Sequence, residues 1–125
     1  MNNGYNFKVV KLESGGQRRL PVDRPVFIRL SNGRSVTARI VSMSSLGMGI
    51  VFNAPGEVGA QLDLRFLLPV QLRLHEVSAK ARIVHSHLTN NKFFSMFEFI
   101  DIDNDDLFLV EKFIEEKSIY FPIAA

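Results

Sequence analysis

The sequence has no cysteine and no tryptophan. Without cysteine, neither a disulfide framework nor a thiolate metal site can form, and a reducing compartment suits the chain. Long apolar runs are missing as well. Phe66–Leu68, for example, stops at Pro69, far short of the roughly 20 residues that a membrane-spanning helix requires. The opening stretch MNNGYNFKVVKLE lacks the apolar centre of a secretory leader. A cytoplasmic protein without membrane insertion is therefore expected. There is also no glycine-rich phosphate loop of the Walker type, and no Ser-His-acid arrangement stands out. The reading is of a protein that is not an enzyme and carries no cofactor.

What is present fits one domain. The chain has 125 residues, 46% of them hydrophobic and 22% charged, which suits a single ordinary globular core. The net charge is only +2, but it is unevenly spread. Between residues 1 and 39, eight lysines and arginines face Glu13 and Asp23; from 101 to 125, seven acids face Lys112 and Lys117. A basic leading end favours an anionic partner there.

Residues 1–25 show no sustained period and include Pro21 and Pro25, so they read as a flexible basic N-terminal segment. Strand alternation begins with VFIRL (26–30), followed by a turn at SNG. SVTARIVSM and MGIVF (48–52) are the next strands, then a breaker-rich loop over 53–60. QLDLRF (61–66) alternates, and VQLRLHEV after Pro69 reads as a further strand with Val70, Leu72 and Leu74 on one side. SAKARIVHSHL and KFFSMFEFI, separated by TNN, suggest a hairpin. Such a series of short strands points to an antiparallel barrel or sandwich. The period then changes: Leu107, Val110, Phe113 and Ile114 share one helical face, behind an acidic start with Asn104 as the expected cap. The domain is placed at 26–118, with an apolar tail over 119–125.

Two stretches resemble metal sites and fall short. His85 and His87 share a strand face, with His75 on a possible neighbour, but no third ligand is assignable for zinc. DIDNDD (101–106) has Asp106 and Lys112 where a calcium loop needs Gly and Glu. No metal is expected.

RRLPVDRPV and VSMSSLGMGI are more specific together than apart. With the order of strands and the late FSMFEFIDID run into a helix, they resemble the PilZ family, bacterial receptors for cyclic di-GMP. That family carries R-x-x-x-R before its first strand and [D/N]-x-S-x-x-G between the second and third. Arg19, followed by LPV, matches the second arginine; position 15 is Gly, with Arg18 and Lys11 nearby, and Arg24 lies five residues beyond Arg19. In the second motif Ser42 replaces Asp or Asn, while Ser44 and Gly47 conform.

The resemblance covers residues of about 15–117 and implies an all-β fold, a six-stranded antiparallel PilZ-like β-barrel with a C-terminal α-helix. It also implies a cyclic di-GMP receptor that signals by closing its N-terminal latch onto the barrel. Arg18, Arg19, Arg24, Ser42, Ser44 and Gly47 would be the ligand-binding residues. The chemistry is apt: a guanidinium forms paired hydrogen bonds to phosphate or to guanine O6 and N7, and it stacks on purines. An unidentified protein partner would receive the signal. The alternative is a nucleotide-independent PilZ-like protein-interaction domain in pilus or motility regulation, for which Gly15, Ser42 and the apolar tail argue. A barrel that binds single-stranded nucleic acid needs exposed aromatics on its strands. The phenylalanines here read as core, so no DNA or RNA partner is expected.

Overall fold

Alternation of inward and outward side chains sets the architecture. A computed structural model describes residues 19–118. Strands β1 (Leu20–Arg29), β2 (Ser35–Ser44), β3 (Gly47–Phe52), β4 (Gln61–Val70), β5 (Arg73–Thr89) and β6 (Lys92–Ile102) precede helix α1 (Asn104–Lys117). The strands close an antiparallel barrel in the order β1-β2-β3-β6-β5-β4. Alternate residues such as Val26, Ile28, Ile40, Ile50, Leu64 and Phe66 fill its interior. Each such side chain, fully buried, contributes about 1.5–3 kcal/mol. A six-stranded barrel with a C-terminal helix is the fold the sequence implied.

Helix α1 buries Val110, Phe113 and Ile114, three of the four residues that its period placed on one face. Two acceptors pin it to the barrel: Asp106 Oδ2 takes the Ser78 N–H at 3.2 Å, and Glu116 Oε1 takes the Gln71 N–H at 3.1 Å. The N-cap is Asp103 rather than Asn104, with no side-chain cap bond; Asp105 and Asp106 occupy the first turn, where the helix dipole favours acids.

Two further expectations change. Residues 20–25, read from the sequence as part of the leading segment, form the start of β1. The prolines fit because β1 pairs with β4 only over Phe27–Arg29, leaving that edge open earlier in the strand, and because its register against β2 shifts between Pro21 and Arg24. VQLRLHEV is not one strand either. Val70 pairs with Arg73 across a two-residue turn, Gln71–Leu72, whose φ angles are 54° and 67°. Leu72 and Leu74 are consequently exposed instead of facing inward.

Candidate functional site

Site geometry begins with the β2–β3 hairpin. Ser44 pairs with Gly47 around a two-residue turn. The buried Ser44 Oγ accepts the Leu46 N–H at 3.1 Å, which fixes the turn from within. The Leu46 carbonyl in turn accepts the Phe99 N–H at 2.8 Å, tying the turn to β6. Gly47 permits this approach: a Cβ there would stand 1.9 Å from the Phe97 carbonyl oxygen. Its backbone is not left-handed, so closeness to β6, not unusual φ, is what demands glycine.

Ser42 lies on the same strand, beyond a register shift between Ile40 and Ser42. A bulge of this kind re-aims a side chain. Arg19, at the foot of β1, reaches it: Nη1 donates to Ser42 Oγ at 3.4 Å, and Nη2 donates to Met96 Sδ on β6 at 2.7 Å. The guanidinium is half-buried, and this desolvation lowers its pKa from the ordinary arginine value. Among the described residues, no carboxylate forms an ion pair with it. Its partners among the described residues are a hydroxyl and a thioether, neither of which carries a charge. An anion is the chemical complement of such a group.

Glycine recurs beside Ser42 on the neighbouring strand β3. Gly49 pairs with Ser42 on one side and Met96 on the other. A Cβ at Gly49 would stand 2.6 Å from both Ser42 Oγ and the Phe94 ring. The ring of Phe94 therefore folds against the bare backbone of β3. Beside this corner Arg82 Nη2 lies 3.3 Å from Glu98 Oε1, so the nearest acid on β6 is already matched by a cation.

Arg19, Ser42, Ser44 and Gly47 thus gather at one end of the β2–β3 hairpin. Arg24 does not join them. Its Nε donates to the Leu67 carbonyl at 2.9 Å, towards β4 rather than towards Ser42 on β2. Arg18 lies outside the described residues. The basic excess of the leading third is dispersed as well: Arg39 pairs with Asp23 at 2.6 Å, and Arg29 lines a groove of about 450 Å³ shared with Lys80 and Asp101.

Sequence reading did not place Gly49, Met96, Phe94, His85 or His87 at this face. A signal for them was available in TNN. A two-residue turn at Asn90–Asn91 sets His87 opposite Phe94 and His85 opposite Met96, which is the pairing observed. No group of three or more His, Cys, Asp or Glu residues among the described ones is arranged to hold a metal. No described helix is long and apolar enough to cross a membrane.

The PilZ domain family matches residues 16–116. No individual curated protein matches the chain. Among solved structures the fold is similar to that of the Bacillus subtilis inhibitor of motility MotI/DgrA, with a TM-score of 0.71 at 17% identity over 81% of this chain and 50% of that one. The MrkH–c-di-GMP complex of K. pneumonia gives 0.69 at 14% identity, covering 86% of this chain and 52% of MrkH. The PilZ domain of YcgR from Escherichia coli, in a structure with c-di-GMP, gives 0.60 at 10% identity over 86% of this chain and 97% of that one. The chain spans about half the length of MotI/DgrA and MrkH, and at these identities the likeness is one of fold. The family match itself runs from the arginine arm through every strand and into the helix, and the chain belongs to the PilZ domain family of cyclic di-GMP receptor domains.

Proposed function

We propose that the chain binds cyclic di-GMP at the outer corner formed by Arg19, Ser42 and the β2–β3 turn, and signals by closing its leading arm over the ligand. One observation carries this reading: a half-buried guanidinium that has no carboxylate partner among the described residues extends over the serine of the degenerate motif. The Arg19 fork would take a ligand phosphate or the O6/N7 edge of a guanine. Ser42 Oγ, released from Arg19, would accept a guanine N–H. Ser44 and Gly47 support the site from below, holding the turn against β6. Arg18 is the second cation of the arm in this reading, and Arg24 contributes only if it leaves the Leu67 carbonyl. Ordering of the arm on the ligand would alter the surface offered to a partner protein.

Isothermal titration with cyclic di-GMP tests the proposal. Binding is expected, and Arg19→Ala should weaken it by about tenfold or more, since a bidentate contact is worth about 1–3 kcal/mol. The variant should keep its thermal midpoint, because among the described residues Arg19 holds no ion pair that folding depends on. Absence of heat at millimolar ligand sinks the receptor role. That outcome supports the second reading, a nucleotide-independent interaction domain, which is favoured by the occupation of Ser42 and Arg19 with each other. The apolar tail invoked for that reading, 119–125, lies outside the described residues.

A further inference from the structure

On the barrel face next to the Arg19 corner, β5 and β6 carry a group of rings that the receptor role has not yet used. The Asn90–Asn91 turn fixes the register, so His87 stands opposite Phe94 and His85 opposite Met96. The intervening Ser95 is buried, so Phe94 and Met96 lie on the outer side of their strand. The His87 ring centroid is 5.3 Å from that of Phe94, with planes tilted by 34°. His85 follows at 4.9 Å from His87, tilted by 55°. Nε2 of His85 and Nδ1 of His87 are 2.8 Å apart, a hydrogen bond in which one ring supplies the proton. That bond fixes the His87 ring, and the Phe94 ring, seated where a Gly49 side chain would be, backs it.

The histidines are exposed, so this is not core packing. Neither is it a metal site on the described residues, since the third neighbour is the Met96 sulfur, which already accepts from Arg19. What remains is an oriented aromatic surface open to solvent. Its position relative to Arg19 gives it a use. The guanidinium ends on Met96, which faces His85 across one strand spacing of about 5 Å, and His87 lies two residues on, about 7 Å along the strand. The separation is of the order of that between the phosphate and the base of one nucleotide.

We propose that His87, oriented by His85 and backed by Phe94, is the stacking platform for a purine base of the ligand whose phosphate Arg19 holds. The inference rests on the receptor reading above and extends the site from the β2–β3 turn across β6 to β5. Base stacking on such a ring requires a flat face and little sequence context, which is why neither motif of the family points to it.

Titration of cyclic di-GMP into wild type, His87→Ala, His87→Phe, His85→Ala and Arg19→Ala provides the test, with thermal melts to show that each variant folds. His87→Ala should weaken binding by about five- to a hundredfold, the range for one stacked base. His87→Phe, which keeps a flat ring, should stay within about threefold of wild type. His85→Ala should fall between them. The guanine H8 proton of the bound ligand should move upfield in wild type and in His87→Phe, and not in His87→Ala. If His87→Ala binds as wild type does while Arg19→Ala loses affinity, the platform is refuted and the receptor role stands. If His87→Phe is as weak as His87→Ala, stacking is refuted. If wild type does not bind, both proposals fall.

Discussion

Replacing Gly47 by alanine puts the closeness of β3 and β6 to a direct test. The added methyl would stand 1.9 Å from the Phe97 carbonyl oxygen and 2.9 Å from the Phe97 carbonyl carbon and Glu98 Cα. All three atoms are backbone, so no side-chain rotation relieves the overlap. The nearest contact is about 1.5 Å short of ordinary van der Waals distance, and the two strands must part by a comparable amount. Parting weakens the pairing of Gly47 with Glu98 and Met48 with Phe97, and it pulls the Leu46 carbonyl from the Phe99 N–H. Overpacking costs about 1–3 kcal/mol, and each lost hydrogen bond about 1 kcal/mol net. The sum is about 3–5 kcal/mol, a large share of the 5–15 kcal/mol typical of a domain. At about 4–8 °C per kcal/mol, the thermal midpoint should fall by at least about 12 °C. Gly33→Ala supplies the comparison: nothing lies within 4 Å of its added methyl, and only its φ of 89° opposes the change, at about 1–2 kcal/mol. Urea unfolding of both variants, followed by circular dichroism, reads the difference. If Gly47→Ala is no less stable than Gly33→Ala, the strand contact is looser than described and the account of the S-x-S-x-x-G turn fails.

Two other substitutions probe elements that position the site. Leu72→Gly should raise stability by about 0.5–1 kcal/mol, because it relieves a left-handed residue that costs about 1–2 kcal/mol and loses part of that gain to glycine's greater unfolded-state freedom; an unchanged or lower urea midpoint counts against a two-residue turn there. Phe113→Ala should cost about 3–5 kcal/mol by opening the interface that holds α1 to the barrel. A loss below about 1 kcal/mol in the same assay would mean the helix contributes little to closing the core.

The two β-hairpins of the second half show what the sequence reveals and what it hides. Asn90–Asn91 and Gln71–Leu72 adopt the same turn, with φ positive at both residues. Asparagine tolerates that region through local hydrogen bonding, so TNN is legible as a turn. Gln-Leu carries no such signal, and the alternation of VQLRLHEV continues through it unbroken. There, tertiary pairing overrides local preference. Pro21 and Pro25 mislead in the opposite direction: they read as breakers, and become strand residues because β4 leaves the adjoining edge of β1 unpaired.

The site divides along the same line. Ser42, Ser44 and Gly47 are close in sequence, and one hairpin gathers them, so a motif can name them. Arg19 belongs with them through the pairing of Leu20 with Met43 and Pro21 with Ser42. Arg24 looks equivalent in sequence, but the register shift between Pro21 and Arg24 carries it to the other flank of β1. The rings on β5 and β6 are remote in sequence from the arm. They come near it only because the barrel closes in the order β2-β3-β6-β5.

Closure also dictates where any ligand must go. The barrel interior is filled by its own side chains, with Ile40, Met43, Met48 and Ile50 of β2 and β3 all buried beneath the corner. No ligand of nucleotide size can enter without unfolding that core, so the proposed recognition would be confined to the outer face. There Gly47 and Gly49 are themselves buried, the one against β6 and the other under the Phe94 ring and Ser42, so neither opens a recess for a ligand. In the proposed receptor role, an arm folding over the ligand would supply the enclosure that the corner lacks, since desolvation strengthens a guanidinium–phosphate contact. The bonds from Arg19 to Ser42 and Met96 would in that role yield to a ligand phosphate, because neither partner carries a charge.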